Sequence, residues 1–354
     1  MSFERILYPF SAIVGQEELK LALLLNAINP HIGGLLIRGP KGTGKSTSVR
    51  ALADLLPEIK VVKGCRFNCN PEDPTNMCFD CLSSYNRGEA LPVEKRKMKV
   101  VTLPIGATED RVIGSLDIEK AIKIGVRALE PGILVEANQN ILYIDEVNLL
   151  PDHITDIILD VAASGWNIVE RESISVGHPS RFILIGTMNP EEGELRPQLL
   201  DRFSLQISIK ELLDEKQRIE VVKNNLRFGE TPLEFIKACE KEQTVLREKI
   251  LQARKELPNV MVPDSLLEII VRACIKLNID GHRPDIVNVR AAKTLAALEG
   301  HREATTDDIL RVAGMAIGFR TRRSGFEEPA APEDVEKVFK TIINERFSET
   351  DQNR

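Results

Sequence analysis

Short, mainly apolar runs punctuate the first 210 positions: Gly34-Leu35-Leu36-Ile37, Val100-Val101-Thr102-Leu103, Ile141-Leu142-Tyr143-Ile144 and Phe182-Ile183-Leu184-Ile185-Gly186, and Leu205 to Ile209, which alternates apolar and polar residues, reads as a last strand. Runs apolar at successive positions, too short for helices, predict strands buried on both faces of a parallel sheet. Lys60-Val61-Val62 predicts one more short strand. Asn167 to Glu170 and Ser173 to Val176 alternate instead, and Arg171-Glu172 between them predicts a β-hairpin. Helical periods run to about Ala27, from Ser46 to Leu56, and twice around Gly114 between Ala107 and Ile124. Beyond Asp214 strand patterns stop. Helices are expected over Lys216–Arg227, Pro232–Arg254, Ser265–Leu277, Pro284–Leu298, Thr306–Ile317 and Pro332–Phe347, ahead of a polar tail. The pattern predicts an α/β core over residues 1–210, with a cysteine-rich insertion at 63–98, and an all-helical domain over 211–354.

The first strand runs straight into Gly39-Pro40-Lys41-Gly42-Thr43-Gly44-Lys45-Ser46, followed by Thr47 on the outgoing helix. This fits the phosphate-binding pattern G-x-x-x-x-G-K-[ST] at every fixed position. A loop between strand and helix aims backbone N–H groups and a helix N-terminus at an anion. Glycines let the backbone wrap phosphates, Lys45 supplies charge at the β/γ end, and Ser46 offers a hydroxyl to Mg²⁺. A nucleotide with Mg²⁺ is the ligand this stretch calls for, and the alternative is a glycine-rich turn with a chance lysine.

Composition narrows the surroundings. Of 354 residues, 28% are charged and 43% hydrophobic, as in an ordinary globular protein, and the net charge of −6 argues against a general nucleic-acid binder. No apolar run approaches a membrane span and no signal-peptide pattern opens the chain. A cytoplasmic location is expected.

The run Ile141 to Ile144 ends in Asp145-Glu146. Asp145 is placed to hold Mg²⁺ through water, and Glu146 to polarise the attacking water. Phe182 to Gly186 leads to Thr187-Met188-Asn189-Pro190. A polar residue there suits a place between the phosphate loop and the acidic strand, beside the γ-phosphate. Asn189 is the candidate, with helix or turn capping as its alternative.

Four of six cysteines cluster as Cys65-x-x-x-Cys69 and Cys78-x-x-Cys81, around the turn-rich Asn70-Pro71-Glu72-Asp73-Pro74-Thr75-Asn76. Two close pairs on a flexible loop suit four thiolates on zinc or an iron–sulfur cluster, and the alternative is four unligated thiols. Cys239 and Cys274 fall in helical patterns and read as packing residues. Lys95, Arg96, Lys97 and Lys99 read as a solvated basic loop.

Strand–phosphate loop–helix, acidic strand, polar-ended strand, arginine and helical lid is the order of an AAA+ ATPase. Within that superfamily, Phe10-Ser11-Ala12-Ile13-Val14-Gly15-Gln16-Glu17, Pro131-Gly132-Ile133-Leu134, Asp145-Glu146-Val147-Asn148-Leu149-Leu150, Asn189-Pro190-Glu191-Glu192-Gly193 and Leu195-Arg196-Pro197-Gln198-Leu199-Leu200-Asp201-Arg202-Phe203 resemble the ATPase subunit I of magnesium chelatase. The resemblance runs from about Phe10 to about Arg323. It implies a ring, usually a hexamer, whose ATP hydrolysis works with a D-type, AAA+-like chelatase subunit. Together they drive an H-type, porphyrin-binding chelatase subunit to insert Mg²⁺ into protoporphyrin IX. The resemblance also implies that Gly15 and Gln16 pack over the adenine and that Arg202 is an arginine finger for a neighbour's γ-phosphate. Arg283 would be the second sensor, in its own chain or across an interface, and Arg290 competes with it. The four cysteines depart from the photosynthetic members. A second class stays open: a MoxR-like AAA+ remodelling or regulatory ATPase acting on a protein or another metal-insertion system.

Overall fold

The computed structural model describes residues 6–116, 129–171, 174–321 and 330–352. Its main sheet holds five strands, β1 (Leu35–Arg38), β2 (Val100–Leu103), β3 (Ile141–Ile144), β4 (Ile183–Met188) and β5 (Leu205–Ser208), in the order β5-β1-β4-β3-β2. The pairings β1–β5, β4–β3 and β3–β2 are parallel. Leu35, Leu36 and Ile37 are completely buried, and every residue of β3 and β4 is buried. That two-sided burial is why these strands read as continuous apolar runs rather than alternating ones. Each fully buried Leu or Ile contributes roughly 1.5–3 kcal/mol relative to exposure.

Contacts gather the described residues into two compact units, drawn from Met1–Gly15, Gly39–Leu195 and Lys210–Gln243 in the first, and from Gln16–Arg38, Arg196–Ile209 and Thr244–Arg354 in the second. This grouping cuts the chain at more points than the one boundary expected near Glu211.

In the first unit, β4, β3 and β2 stand beside the phosphate loop and helix Lys45–Leu55. Strand Ile59–Val62 pairs antiparallel with Val93–Arg96. Lys95 and Arg96 therefore lie in a strand, not in the basic loop expected there. Lys95 sits opposite Lys60 in that ladder, a distant pairing partner that the local charge run does not reveal. The expected hairpin forms between Trp166–Arg171 and Ile174–Pro179. Helix Glu109–Ile113 fits the first helical period near Gly114, whereas Gly114–Leu116 is a strand paired with Leu129–Pro131. The remainder of the second period lies outside the described residues.

In the second unit, helix Glu17–Ile28 packs on β1 and β5, and helices Asp264–Lys276, Arg283–Glu299, Thr306–Ile317 and Pro332–Gln352 pack on one another. Thr305 and Asp308 close a reciprocal capping box at the start of Thr306–Ile317. Among the described residues no helix is long and apolar enough to cross a membrane.

Candidate functional site: a phosphate loop facing two carboxylates

The loop between β1 and helix Lys45–Leu55 is pinned at its start, where the Gly39 N–H donates to the Met188 carbonyl at the end of β4 (3.1 Å). Gly42 (φ +82°) and Gly44 (φ +79°) adopt left-handed conformations, yet an added Cβ would meet nothing within 4 Å at either. Glycine suits these positions because it takes a positive φ without strain. Lys45 Nζ donates to the Gly39 and Pro40 carbonyls (2.6 and 2.8 Å), and Thr43 Oγ1 donates to Pro40 (3.0 Å). The ammonium is thereby folded back over its own loop. Burial lowers the Lys45 pKa, while Asp145, Glu146 and Glu192 pull the other way. Ser46 and Thr47 occupy the first turn of the helix.

Across from the loop, β3 ends in Asp145 and Glu146. Glu146 takes a left-handed backbone (φ +55°), an unusual choice for a side chain of its kind. Asp145 Oδ1 accepts from Thr187 Oγ1 (2.7 Å) and from Tyr143 Oη (2.9 Å). The Thr187 oxygen in turn accepts the Glu146 N–H (3.3 Å). One hydroxyl on β4 thus orients both acidic residues. Burial and the Asp145 carboxylate keep the Tyr143 phenol protonated, with its pKa raised.

Lys41 joins the two motifs. Its Nζ lies 3.6 Å from Glu146 Oε1 and 2.5 Å from Glu192 Oε1, which raises its pKa through the Glu192 bond first. Asn189 is buried at the end of β4, where its Oδ1 accepts the Glu191 N–H (3.3 Å) and its Nδ2 donates to Glu191 Oε2 (3.3 Å). In this arrangement it caps the short helix Pro190–Glu192. The sequence pattern does not single out Thr187, Tyr143 or Glu192. Thr187 has one signal, since period 2 puts it on the same strand face as Asn189.

Gly15 (φ +65°) and Gln16 (φ +55°) form the turn that opens helix Glu17–Ile28. A Cβ on Gly15 would lie 2.9 Å from Leu212 Cδ2 and 3.1 Å from Gln217 Oε1, so this turn is also closely packed.

In the second unit, Arg202 ends helix Pro197–Arg202 and Arg283 begins helix Arg283–Glu299. The Arg283 Nη2 donates to the Arg202 carbonyl, which brings these two arginines together. Arg290 donates to the His31 carbonyl instead.

The four cysteines converge. All four sulfurs lie within 4.8 Å of one another, with Cys65–Cys69 at 3.5 Å and Cys65–Cys78 at 3.9 Å, and none forms a disulfide. Backbone N–H groups point at them: Phe67 to Cys65 Sγ (3.4 Å) and Cys78 to Cys69 Sγ (3.0 Å). Cys69, Cys78 and Cys81 are buried with Val62, Phe67, Met77, Leu116 and Val135 in a small apolar cluster. Hydrogen bonding from Cys69, then Cys78 and Cys81, favours the thiolate at Cys65 and lowers its pKa.

Comparison with known proteins shows the family. A family described as "Magnesium chelatase, subunit ChlI" matches residues 9–66, an AAA domain of the dynein-related subfamily matches 89–203, and an AAA lid domain matches 267–342. The "Magnesium-chelatase subunit ChlI homolog" of Methanocaldococcus jannaschii is 60% identical over 93% of this chain and 89% of its own. The magnesium-chelatase subunit ChlI of a Nostoc species is 50% identical over 100% of this chain and 94% of its own. A chain from the complex between subunits BchI and BchD of magnesium chelatase, based on a single-particle cryo-electron microscopy reconstruction, superposes with a TM-score of 0.54 at 46% identity, covering 90% of this chain and 98% of that one. At 50–60% identity over nearly the whole of its length, this chain belongs to the magnesium-chelatase subunit ChlI family of AAA+ ATPases.

Proposed function

We propose that this chain is the ATP-hydrolysing motor of a magnesium-chelatase assembly, coupling hydrolysis to Mg²⁺ insertion into protoporphyrin IX by partner subunits. The observation that carries the reading is the meeting of the two nucleotide motifs, with Lys41 of the loop 3.6 Å from Glu146 at the end of β3. In this reading the backbone from Gly39 to Thr47 binds the phosphates, Lys45 neutralises the β/γ end, and Ser46 and Asp145 hold Mg²⁺. Bound Mg²⁺ neutralises charge on the β- and γ-phosphates. Glu146 orients and polarises water, and Asn189 senses the γ-phosphate by exchanging its bonds to Glu191. Gly15 and Gln16 cover the adenine.

The chain works as a ring, a hexamer by resemblance, in which Arg202 serves a neighbour's nucleotide and Arg283 is the second sensor. Arg283 is preferred to Arg290 for that role because it lies on the Arg202 backbone, whereas Arg290 holds the His31 carbonyl. Residues 1–210 form the ATPase core and 211–354 the lid. Its partners are a D-type AAA+ subunit, supported by the BchI–BchD likeness, and an H-type porphyrin-binding subunit. The cytoplasm, where thiols stay reduced, suits the four cysteines.

For those cysteines we infer one metal ion per chain. Zinc–thiolate bonds of about 2.3 Å set tetrahedral sulfur–sulfur edges of about 3.8 Å, and the separations of 3.5 and 3.9 Å bracket that length. An iron–sulfur cubane puts each thiolate on a different iron and spreads the sulfurs over a larger tetrahedron. Four sulfurs within 4.8 Å favour a single ion, zinc first.

The function is tested by mixing the purified chain with D- and H-type subunits, protoporphyrin IX, Mg²⁺ and ATP. ATP-dependent appearance of the magnesium porphyrin is expected. Brisk ATP hydrolysis with no metal insertion would instead point to another client.

A further inference from the structure

Helix Pro197–Arg202 is six residues long, so its last carbonyls have no partners further along the helix. Arg320, from a different part of the second unit, takes three of the carbonyls around its end. Nη2 donates to Asp201 (3.1 Å) and Phe203 (2.5 Å), and Nη1 donates to Ser204 (3.2 Å). Nη1 also reaches the Ala316 carbonyl one turn back in its own segment. The Arg202 carbonyl between them accepts from Arg283. The guanidinium carbon of Arg320 also lies 4.1 Å from the centre of the Phe319 ring. Burial lowers its pKa to about 10, so it stays charged at neutral pH. A cation at a helix C-terminus is favourable in its own right. Here it does more, because a planar fork fixes several acceptors in one geometry, which a rotating ammonium does not.

We propose that Arg320 is a positioning residue for Arg202: by gripping the backbone on both sides of it, Arg320 sets where the Arg202 guanidinium is presented. The proposal rests on the reading of Arg202 as a finger acting on a neighbour's nucleotide. It makes a demand that a merely structural arginine does not. The defect of an Arg320 variant falls on the neighbouring chain's site and leaves its own intact.

The test uses Arg320→Lys, which keeps the charge and a fraction of the hydrogen bonds, and Arg320→Gln, which keeps neither charge nor fork. Each is assayed alone and co-assembled with Glu146→Gln chains, with Arg202→Ala as the reference and native mass spectrometry counting mixed rings. Misplacing a catalytic group by about 1 Å costs about a hundredfold in rate, so kcat is expected to fall between tenfold and a hundredfold with KM for ATP within about twofold. Activity is expected to return in rings mixed with Glu146→Gln, as it does for Arg202→Ala. If Arg202→Ala rings recover and Arg320→Lys rings do not, Arg320 acts on its own site and the proposal fails. Parental turnover by Arg320→Lys and Arg320→Gln also overturns it. Should Arg202→Ala itself fail to recover in confirmed mixed rings, the finger reading falls first, and this inference with it. If Arg320→Gln does not fold, Arg320→Lys decides alone.

Discussion

Thr187 Oγ1 sits 2.7 Å from Asp145 Oδ1 and takes the backbone N–H of Glu146 on its other side. A single hydroxyl on the neighbouring strand therefore fixes the carboxylate proposed to hold Mg²⁺ and the backbone from which the carboxylate proposed to polarise water departs. Thr187→Val keeps the shape and removes both bonds. Losing a partner that orients a metal-holding group costs about 10–100-fold in activity, and that range is expected for kcat at saturating Mg²⁺. Thr187→Ser should retain most of the parental rate. Steady-state phosphate release for the two variants checks this, and equal rates for valine and serine would remove Thr187 from the site.

The four-cysteine cluster makes a composition claim. Protein purified without added metal should carry about one zinc ion per chain by mass spectrometry of the metal content, with no visible iron–sulfur absorption. Replacing Cys69 and Cys78 together by serine should release it. ATP binding should survive within a few fold, because none of the loop residues from Gly39 to Thr47 belongs to the cysteine cluster. Hydrogen exchange should rise across residues 62–82. Well-folded protein with no metal, prepared anaerobically, would contradict the single-ion reading.

Gly15 offers a stability test at the turn that opens helix Glu17–Ile28. Its backbone is left-handed and an added Cβ approaches Leu212 and Gln217. A non-glycine residue held in that region costs of order 1–3 kcal/mol. Gly15→Val should lower the melting temperature by several degrees, and Gly15→Ala by less, since Leu212 Cδ2 is the end of a side chain that can shift. Calorimetry on both variants reads the difference.

Much of the site is legible in the residues alone. Gly39 to Ser46 is specified by residues whose roles are local: two glycines for positive φ, a lysine, a hydroxyl, a strand before and a helix after. Asp145-Glu146 follows from its place at the end of a buried run. The cysteine convergence is legible as an option, because two short spacings around a turn-rich loop can close, while the ion count needs sulfur–sulfur distances. Thr187, Tyr143 and Glu192 are not legible as site residues. Thr187, marked only by sharing a strand face with Asn189, and Glu192 act through partners on other elements, while Tyr143 reads as one more core residue of its strand until its hydroxyl is seen on Asp145. Arg320 is the extreme case, since the Asp201 carbonyl it holds is 119 positions away. The basic run at Lys95 misleads for the same reason. Its charge pattern is local, but the strand that pairs with it comes from residues 59–62.

The central claim is that ATP is hydrolysed at the site where Lys41 and Lys45 face Asp145 and Glu146. The most direct measurement pairs nucleotide affinity with phosphate release for the parent, Glu146→Gln and Lys45→Ala. Glu146→Gln removes only the carboxylate proposed to polarise water, so ATP affinity should stay within about threefold while turnover falls by about a hundredfold or more. Lys45→Ala removes the counter-charge of the phosphates and should lose binding itself. Parental turnover by Glu146→Gln, or unaltered ATP affinity in Lys45→Ala, would contradict the account.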